Sequence, residues 1–308
     1  MKRWLETQRG AYGVTALALA LAGLAALAVP PATLAAAPTR PAHPLRVVAL
    51  GLPADELALA LVGPERIVAL DRFADDPRAS NVIEEARSVR TRVPVRAEAI
   101  APQEPDLVLV PAWAPMDLEQ SLHALAIPTL RLDTPSSIAD VRATIRTVAA
   151  ALDAAERGEA LVRAMDASLE RTRARATGPR VPTVLLDSGS GFSPGRGTLL
   201  AELTHIAGGE LLFDRLGREG LVPLSLEHEL ALDPDVLWVD AYRADARARS
   251  VTSAMRGAHG LDPRLSGLRA VRSGAVHAID ARYLLTTTHH VARTAEALAD
   301  SLAAERAP

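Results

Sequence analysis

No cysteine occurs in the 308 residues, which excludes a disulfide framework, thiolate metal sites, thiol catalysis and a lipid-modified N-terminal cysteine. A chain of this length without cross-links has enough residues for one large apolar core or two ordinary ones. Lysine is confined to Lys2, so positive charge rests on arginine, and the formal net charge is −3. No basic stretch alternates with aromatics, which leaves no nucleic-acid surface. Beyond residue 37 no segment is apolar for long enough to span a bilayer. The glycine-rich turn Ser188–Gly197 lacks the Gly-Lys-Ser/Thr ending of a phosphate loop, and neither Ser188 nor Ser190 has the flanking glycines of a nucleophile elbow. The eight histidines do not cluster, and the adjacent pair His289-His290 projects in divergent directions on a helix or a strand. No carboxylate pair and no Ser/His/Asp set can be placed together, so the absences point away from an enzyme, from a metal site and from a bound cofactor.

Residues 1–37 stand apart. Lys2, Arg3 and Arg9 precede the apolar run 11–29, and small residues continue to Ala37. This is the build of a cleavable secretory signal. The run overlaps the minimum length of a membrane anchor, while the small residues after it favour cleavage near Ala35 or Ala36. The expected fate is export from the cytoplasm.

From Pro38 onward, strand signals alternate with helical ones. Apolar strands are expected at 45–50, 66–70, 106–110 and 127–132, with helices at 55–61 and 117–125 between them. Ser137 and Asp140 have the spacing of a capping box that opens another helix. An uninterrupted helical pattern covers 155 to about 176, with Leu161, Val162, Met165 and Leu169 on one face. After Gly178-Pro179 the alternation restarts, with strands at 181–186, 236–239 and 275–279 and helices at 198–207 and from about 290 to 304. The reading is α/β, with two lobes of parallel sheet, 38–154 and 178–308, joined by one long helix over 155–177.

One pattern occurs twice. Glu98 stands seven residues before Pro105-Asp106, and Glu227 seven residues before Pro234-Asp235. Each Pro-Asp runs into an unbroken apolar strand of the kind covered on both faces. Proline stops the preceding helix and biases the residue before it toward extended geometry.

The segments Arg46-Val-Val-Ala-Leu-Gly-Leu-Pro-Ala-Asp-Glu56, Val89-Arg-Thr-Arg92 through Glu98 with Pro105-Asp106, and Gly195-Arg-Gly-Thr through Glu202 with Gly208-Gly209 resemble, in this order, the iron-siderophore, haem and cobalamin class of periplasmic substrate-binding proteins of ABC importers. The resemblance spans about 45–304. It implies two Rossmann-like lobes joined by a rigid helix (a class III periplasmic binding protein), a ligand between strand-end loops, and no covalent chemistry. It also implies that Glu98 and Glu227 dock onto arginines of an inner-membrane permease dimer. Arg92 matches the ligand-contacting arginine of hydroxamate-siderophore binders in that class, where cobalamin binders have tryptophan and haem binders usually tyrosine. A ferric siderophore is therefore the expected ligand, with cobalamin or haem as alternatives. An exported chelatase-like enzyme and a sensor are the readings from other classes. Strand ends supply the remaining pocket candidates: Phe73, Trp113, Phe192, Tyr242 and Tyr283.

Overall fold

The computed structural model describes residues 38–241 and 262–306. Nine of its strands form two parallel sheets. The first contains β1 (Val47–Ala49), β2 (Ile67–Asp71), β3 (Arg92–Val93), β4 (Leu107–Pro111) and β5 (Thr129–Leu132), in the order β3-β2-β1-β4-β5. The second contains β6 (Thr183–Asp187), β8 (Glu210–Leu211), β10 (Val236–Asp240) and β11 (Val276–Ile279), in the order β11-β10-β6-β8. A separate antiparallel ribbon pairs β7 (Phe192–Pro194) with β9 (Leu221–Pro223). The central strands β1, β4 and β10 are buried almost throughout, as expected of apolar runs covered by helices on both faces. Trp238 lies in the core of the second sheet, where its indole N–H donates to Ser301 Oγ at 3.0 Å.

The helix Ala155–Arg175 lies between the two sheets in the chain and buries Val162, Met165 and Leu169. Gly158 lets it approach the preceding helix, Ile138–Ala151: a methyl group at Gly158 would sit 2.4 Å from the Ala149 Cβ. That preceding helix is capped by Ser137, whose hydroxyl accepts the Asp140 N–H at 3.1 Å. The Asp140 carboxylate reaches back to the Ser136 amide at 3.1 Å, one residue upstream of the expected position. Beside Asp140, the hydroxyls of Ser137 and Ser136 hold its pKa below the ordinary carboxylate value.

The repeated Pro-Asp has a structural role in each sheet. Asp106, just before β4, accepts the amides of Leu45 and Arg46 at 2.8 and 3.0 Å, at the entrance to β1. Asp235, just before β10, accepts the Thr183 amide and hydroxyl at 2.9 and 2.7 Å, at the entrance to β6. In both cases the carboxylate satisfies N–H groups at the open end of the neighbouring strand, where no ladder partner remains. The expected extended geometry before each proline is not found. Glu104 and Asp233 are left-handed, with φ of 48° and 39°, because each preceding helix or turn closes with a left-handed residue before the chain reverses into the strand.

Sequence reasoning missed β3, β8 and the β7–β9 ribbon. The first two are two residues long, and the ribbon strands are separated by two helices and β8.

Candidate functional site

Ligands of open parallel sheets sit beyond the carboxyl ends of the strands. In this protein those ends carry Asp71–Phe73 after β2, Pro111–Trp113 after β4, Asp187–Gly191 after β6, and Asp280–Leu285 after β11. Three aromatic side chains there stay in water although hydrophobic: Trp113 is 65% exposed, Phe73 45% and Phe192 46%. The Trp113 indole is set close to the backbone of the loop after β1. Gly51 adopts φ 81°, and a Cβ there would lie 3.6 Å from the ring and 3.3 Å from the Pro111 side chain. The positive φ favours glycine at that turn, and its missing Cβ lets the Pro111 and Trp113 side chains pack close.

A hollow of about 540 Å³ opens against the second sheet. Its walls are mainly apolar, including Leu186, Phe192, Leu199, Leu221, Tyr283 and Leu285, with Ser188, Ser190 and Asp240 supplying polar atoms. Thr134 and Pro135, which follow β5 of the first sheet, complete one wall. Phe192 and Tyr283 are thus brought to one cavity, whereas Phe73 and Trp113 stand on the loops of the first sheet and do not line it. Tyr242 lies outside the described residues.

Arg92 opens β3, and its guanidinium is fully engaged. Its Nε and Nη2 donate to the Asp75 carboxylate at 2.8 and 2.6 Å, and its remaining N–H groups reach the carbonyls of Ala86, Val89 and Thr91. A different arginine is available. Arg72 is exposed and places its guanidinium carbon 4.6 Å from the centre of the Phe73 ring. Across the second sheet, Arg282 lies 5.9 Å from the Tyr283 ring while forming a 2.6 Å ion pair with Asp280. Arg72 therefore sets a cation beside an aromatic face, whereas the Arg282 guanidinium is taken by Asp280 much as that of Arg92 is taken by Asp75. Arg72 went unnoticed in the sequence, although it adjoins Phe73 at the end of a predicted strand.

Beneath the loops of the first sheet lie buried acids. Asp71 accepts the amides of Gly51 and Phe73, fixing both turns. Asp55 accepts the Asp71 amide at 3.1 Å, and its second oxygen is buried without a partner. Burial, with the nearby Asp71 and Glu56 charges adding to it, pushes the Asp55 pKa well above the ordinary value. Among the described residues no group of three His, Asp or Glu side chains is placed to hold a metal ion. His289 and His290 do stack, with ring centres 4.0 Å apart. Burial pushes their pKa values down to about 4 and about 3.

Glu98 and Glu227 are both exposed, one on the short helix Ala97–Ile100 and the other on Leu226–Leu232. They stand at matching places before β4 and β10. Among the described residues no helix is long and apolar enough to cross a membrane.

Two parallel sheets covered by helices, with loops gathered at their strand ends, give an α/β architecture of two sheets, and comparison with known proteins assigns its class. The family model for periplasmic binding proteins matches residues 47–283, and the chain belongs to that family. It is accordingly a non-enzymatic binder of a small-molecule solute acting outside the cytoplasm. No curated protein matches the sequence. Among solved structures, the fold is similar to the apo form of the periplasmic haem-binding protein RhuT from Roseiflexus sp. RS-1. The identity is 26% and the TM-score 0.67, over 83% of this chain and 98% of that one. It is also similar to the periplasmic vitamin B12-binding protein BtuF of Vibrio cholerae, at 18% identity and TM-score 0.64, over 86% and 98%. A third is a possible iron-binding periplasmic solute-binding protein from Staphylococcus epidermidis, at 15% identity and TM-score 0.68, over 84% and 98%.

Proposed function

We propose that this protein captures an anionic metal chelate with a flat apolar body, foremost a haem-type tetrapyrrole, and delivers it to the permease of an ABC importer. The observation that carries this reading is the set of water-exposed aromatics at the strand ends, with the Arg72 guanidinium against Phe73. Several aromatics gathered at strand ends suit the capture of an apolar ligand body, and arginine beside them provides for carboxylates. The 26% identity to a haem-binding protein supports the same choice. A ferric siderophore is the second reading. Arg92, which the hydroxamate comparison singled out, is occupied by Asp75, so in that case Arg72 would take the chelate oxygens.

In this reading residues 1–37 are a cleaved export signal, 38–154 and 178–308 are the lobes, and 155–177 is the joining helix. Glu98 and Glu227 present one carboxylate per lobe to a two-fold symmetric permease. Such charges steer encounter and fix orientation more than they add affinity.

The test is titration of the mature protein with haemin, cyanocobalamin, a ferric hydroxamate and a ferric catecholate, followed by visible absorbance and calorimetry. Saturable haemin binding that weakens in Phe73→Ala and Arg72→Ala is expected. Binding of a siderophore alone would overturn the tetrapyrrole assignment, and binding of none would overturn the metal-chelate reading.

A further inference from the structure

Glu56 is the most informative polar side chain outside the cleft. It lies on the helix Leu52–Val62 of the first sheet and is 1% exposed. Buried carboxylates are costly unless their oxygens are hydrogen-bonded, and Glu56 is served from three directions. Its Oε2 accepts the hydroxyls of Thr286 at 2.7 Å and Thr288 at 2.6 Å, which belong to the segment that follows β11. Its Oε1 accepts the Asn81 side-chain amide at 2.8 Å. The same Asn81 nitrogen also donates to the Arg282 carbonyl at 3.1 Å.

These contacts converge on one segment. Residues 283–287 line the hollow, yet apart from the short helix Ala281–Leu285 they are held mainly by side chains. The Tyr283 carbonyl accepts from Thr294, Arg282 is tied to Asn81, and Thr286 and Thr288 are tied to Glu56 on either side of Thr287. Asn81 ends the loop that begins with Arg72 and Phe73 after β2. The loop bearing Phe73 and the loop bearing Tyr283 therefore meet on a single carboxylate contributed by neither.

We propose that Glu56 is a positioning residue: its carboxylate, through Asn81, Thr286 and Thr288, sets the geometry of the binding loops of both sheets and so determines ligand affinity without touching the ligand. This rests on the reading of the strand ends as the binding cleft. A preorganised loop avoids the ordering cost that a mobile one incurs when ligand arrives. Burial drives the Glu56 pKa upward and the bonds from Thr288, Asn81 and Thr286 oppose the rise.

The test uses the isosteric variant Thr288→Val, its hydroxyl-bearing counterpart Thr288→Ser, and Glu56→Gln, leaving Thr286, which lines the hollow, intact. Glu56→Gln keeps the side-chain shape but replaces one acceptor oxygen with an NH2 donor, so Asn81, Thr286 and Thr288 can no longer all donate to it. Amide hydrogen exchange of segment 281–290 is measured in the ligand-free protein, and haemin affinity by absorbance. In the valine variant and in Glu56→Gln, exchange is expected to rise and haemin to bind roughly tenfold more weakly, about 1.4 kcal/mol. The serine variant is expected to stay near wild type on both readouts. Unchanged protection of 281–290 overturns the proposal, and so does a loosened segment with unchanged haemin affinity. If the wild type binds no haemin, the functional reading fails separately, and the exchange measurement alone decides whether Glu56 sets the loops.

Discussion

Arg92 and Asp75 form a two-pronged ion pair, Nε to Oδ2 at 2.8 Å and Nη2 to Oδ1 at 2.6 Å. The pair bridges β3 to the loop that carries Phe73. With the carbonyls of Ala86, Val89 and Thr91 taking the other donors, this arginine closes off the sheet edge. Replacing Arg92 with alanine is expected to lower unfolding free energy by about 1 to 3 kcal/mol, with a smaller effect on haemin affinity than Arg72→Ala. Urea unfolding and absorbance titration of the two variants make the comparison.

Asp235 offers a pH test. Burial raises its pKa, but the Thr183 amide and hydroxyl with Arg269 and Arg180 more than offset this, and the net shift is downward. A carboxyl depressed in the folded state adds stability above its unfolded pKa and loses that contribution as pH falls through the folded value. Asp235→Asn is therefore expected to be less stable than wild type at neutral pH, by roughly 1 to 3 kcal/mol. The gap should narrow below about pH 4. Denaturant titrations across that range check both statements.

The stacked histidines act in a higher window. An unfolded histidine titrates near pH 6.5, whereas burial holds His289 at about 4 and His290 at about 3. Between those limits the unfolded chain takes up protons that the folded chain refuses, so stability falls as pH falls. The loss amounts to roughly 2 kcal/mol per ring by about pH 5. His290→Gln is expected to flatten the decline between about pH 7 and about pH 5, as measured by urea unfolding at several pH values.

Charge reversal of Glu98 and Glu227 separates docking from capture. The Glu227 carboxyl is kept below the ordinary range by its own backbone amide and by Ser225, so its charge persists into mild acid. Glu98→Arg/Glu227→Arg is expected to abolish uptake into vesicles bearing the permease while ligand affinity stays within about twofold. Retained uptake would leave the two glutamates without a docking role. A sensor, the reading from another class, would keep its signalling in this variant.

The sheets were legible because apolar runs without alternation mark strands buried on both faces, as Leu107–Val110 and Val236–Val239 show. Short elements were not: Arg92–Val93 pairs with β2 through two residues, too few to leave a pattern. Exposed aromatics could be placed at strand ends once the strands were found, which brought Phe192 and Tyr283 to the cavity. Arg92 shows the limit of reading a site by position. Its availability depends on Asp75, 17 residues away, and no local pattern reveals that pairing. Glu56 lay further out of reach, since Thr286 and Thr288 are 230 and 232 residues distant. Nothing near Glu56 in the chain distinguishes it from an ordinary helix carboxylate. The Pro-Asp repeat was visible, but its purpose emerged only when each aspartate was found at the entrance to a neighbouring strand.

The two described tryptophans have opposite surroundings, and this gives the protein a built-in pair of optical probes. Trp113 is 65% exposed on the loop after β4, while Trp238 is fully buried with its indole bonded to Ser301. An indole in water emits at longer wavelength than one in an apolar core. Ligand arrival should extinguish chiefly the red side of the emission, whereas unfolding should shift the blue side. One spectrum can thus distinguish an occupied cleft from a collapsing core without any added label.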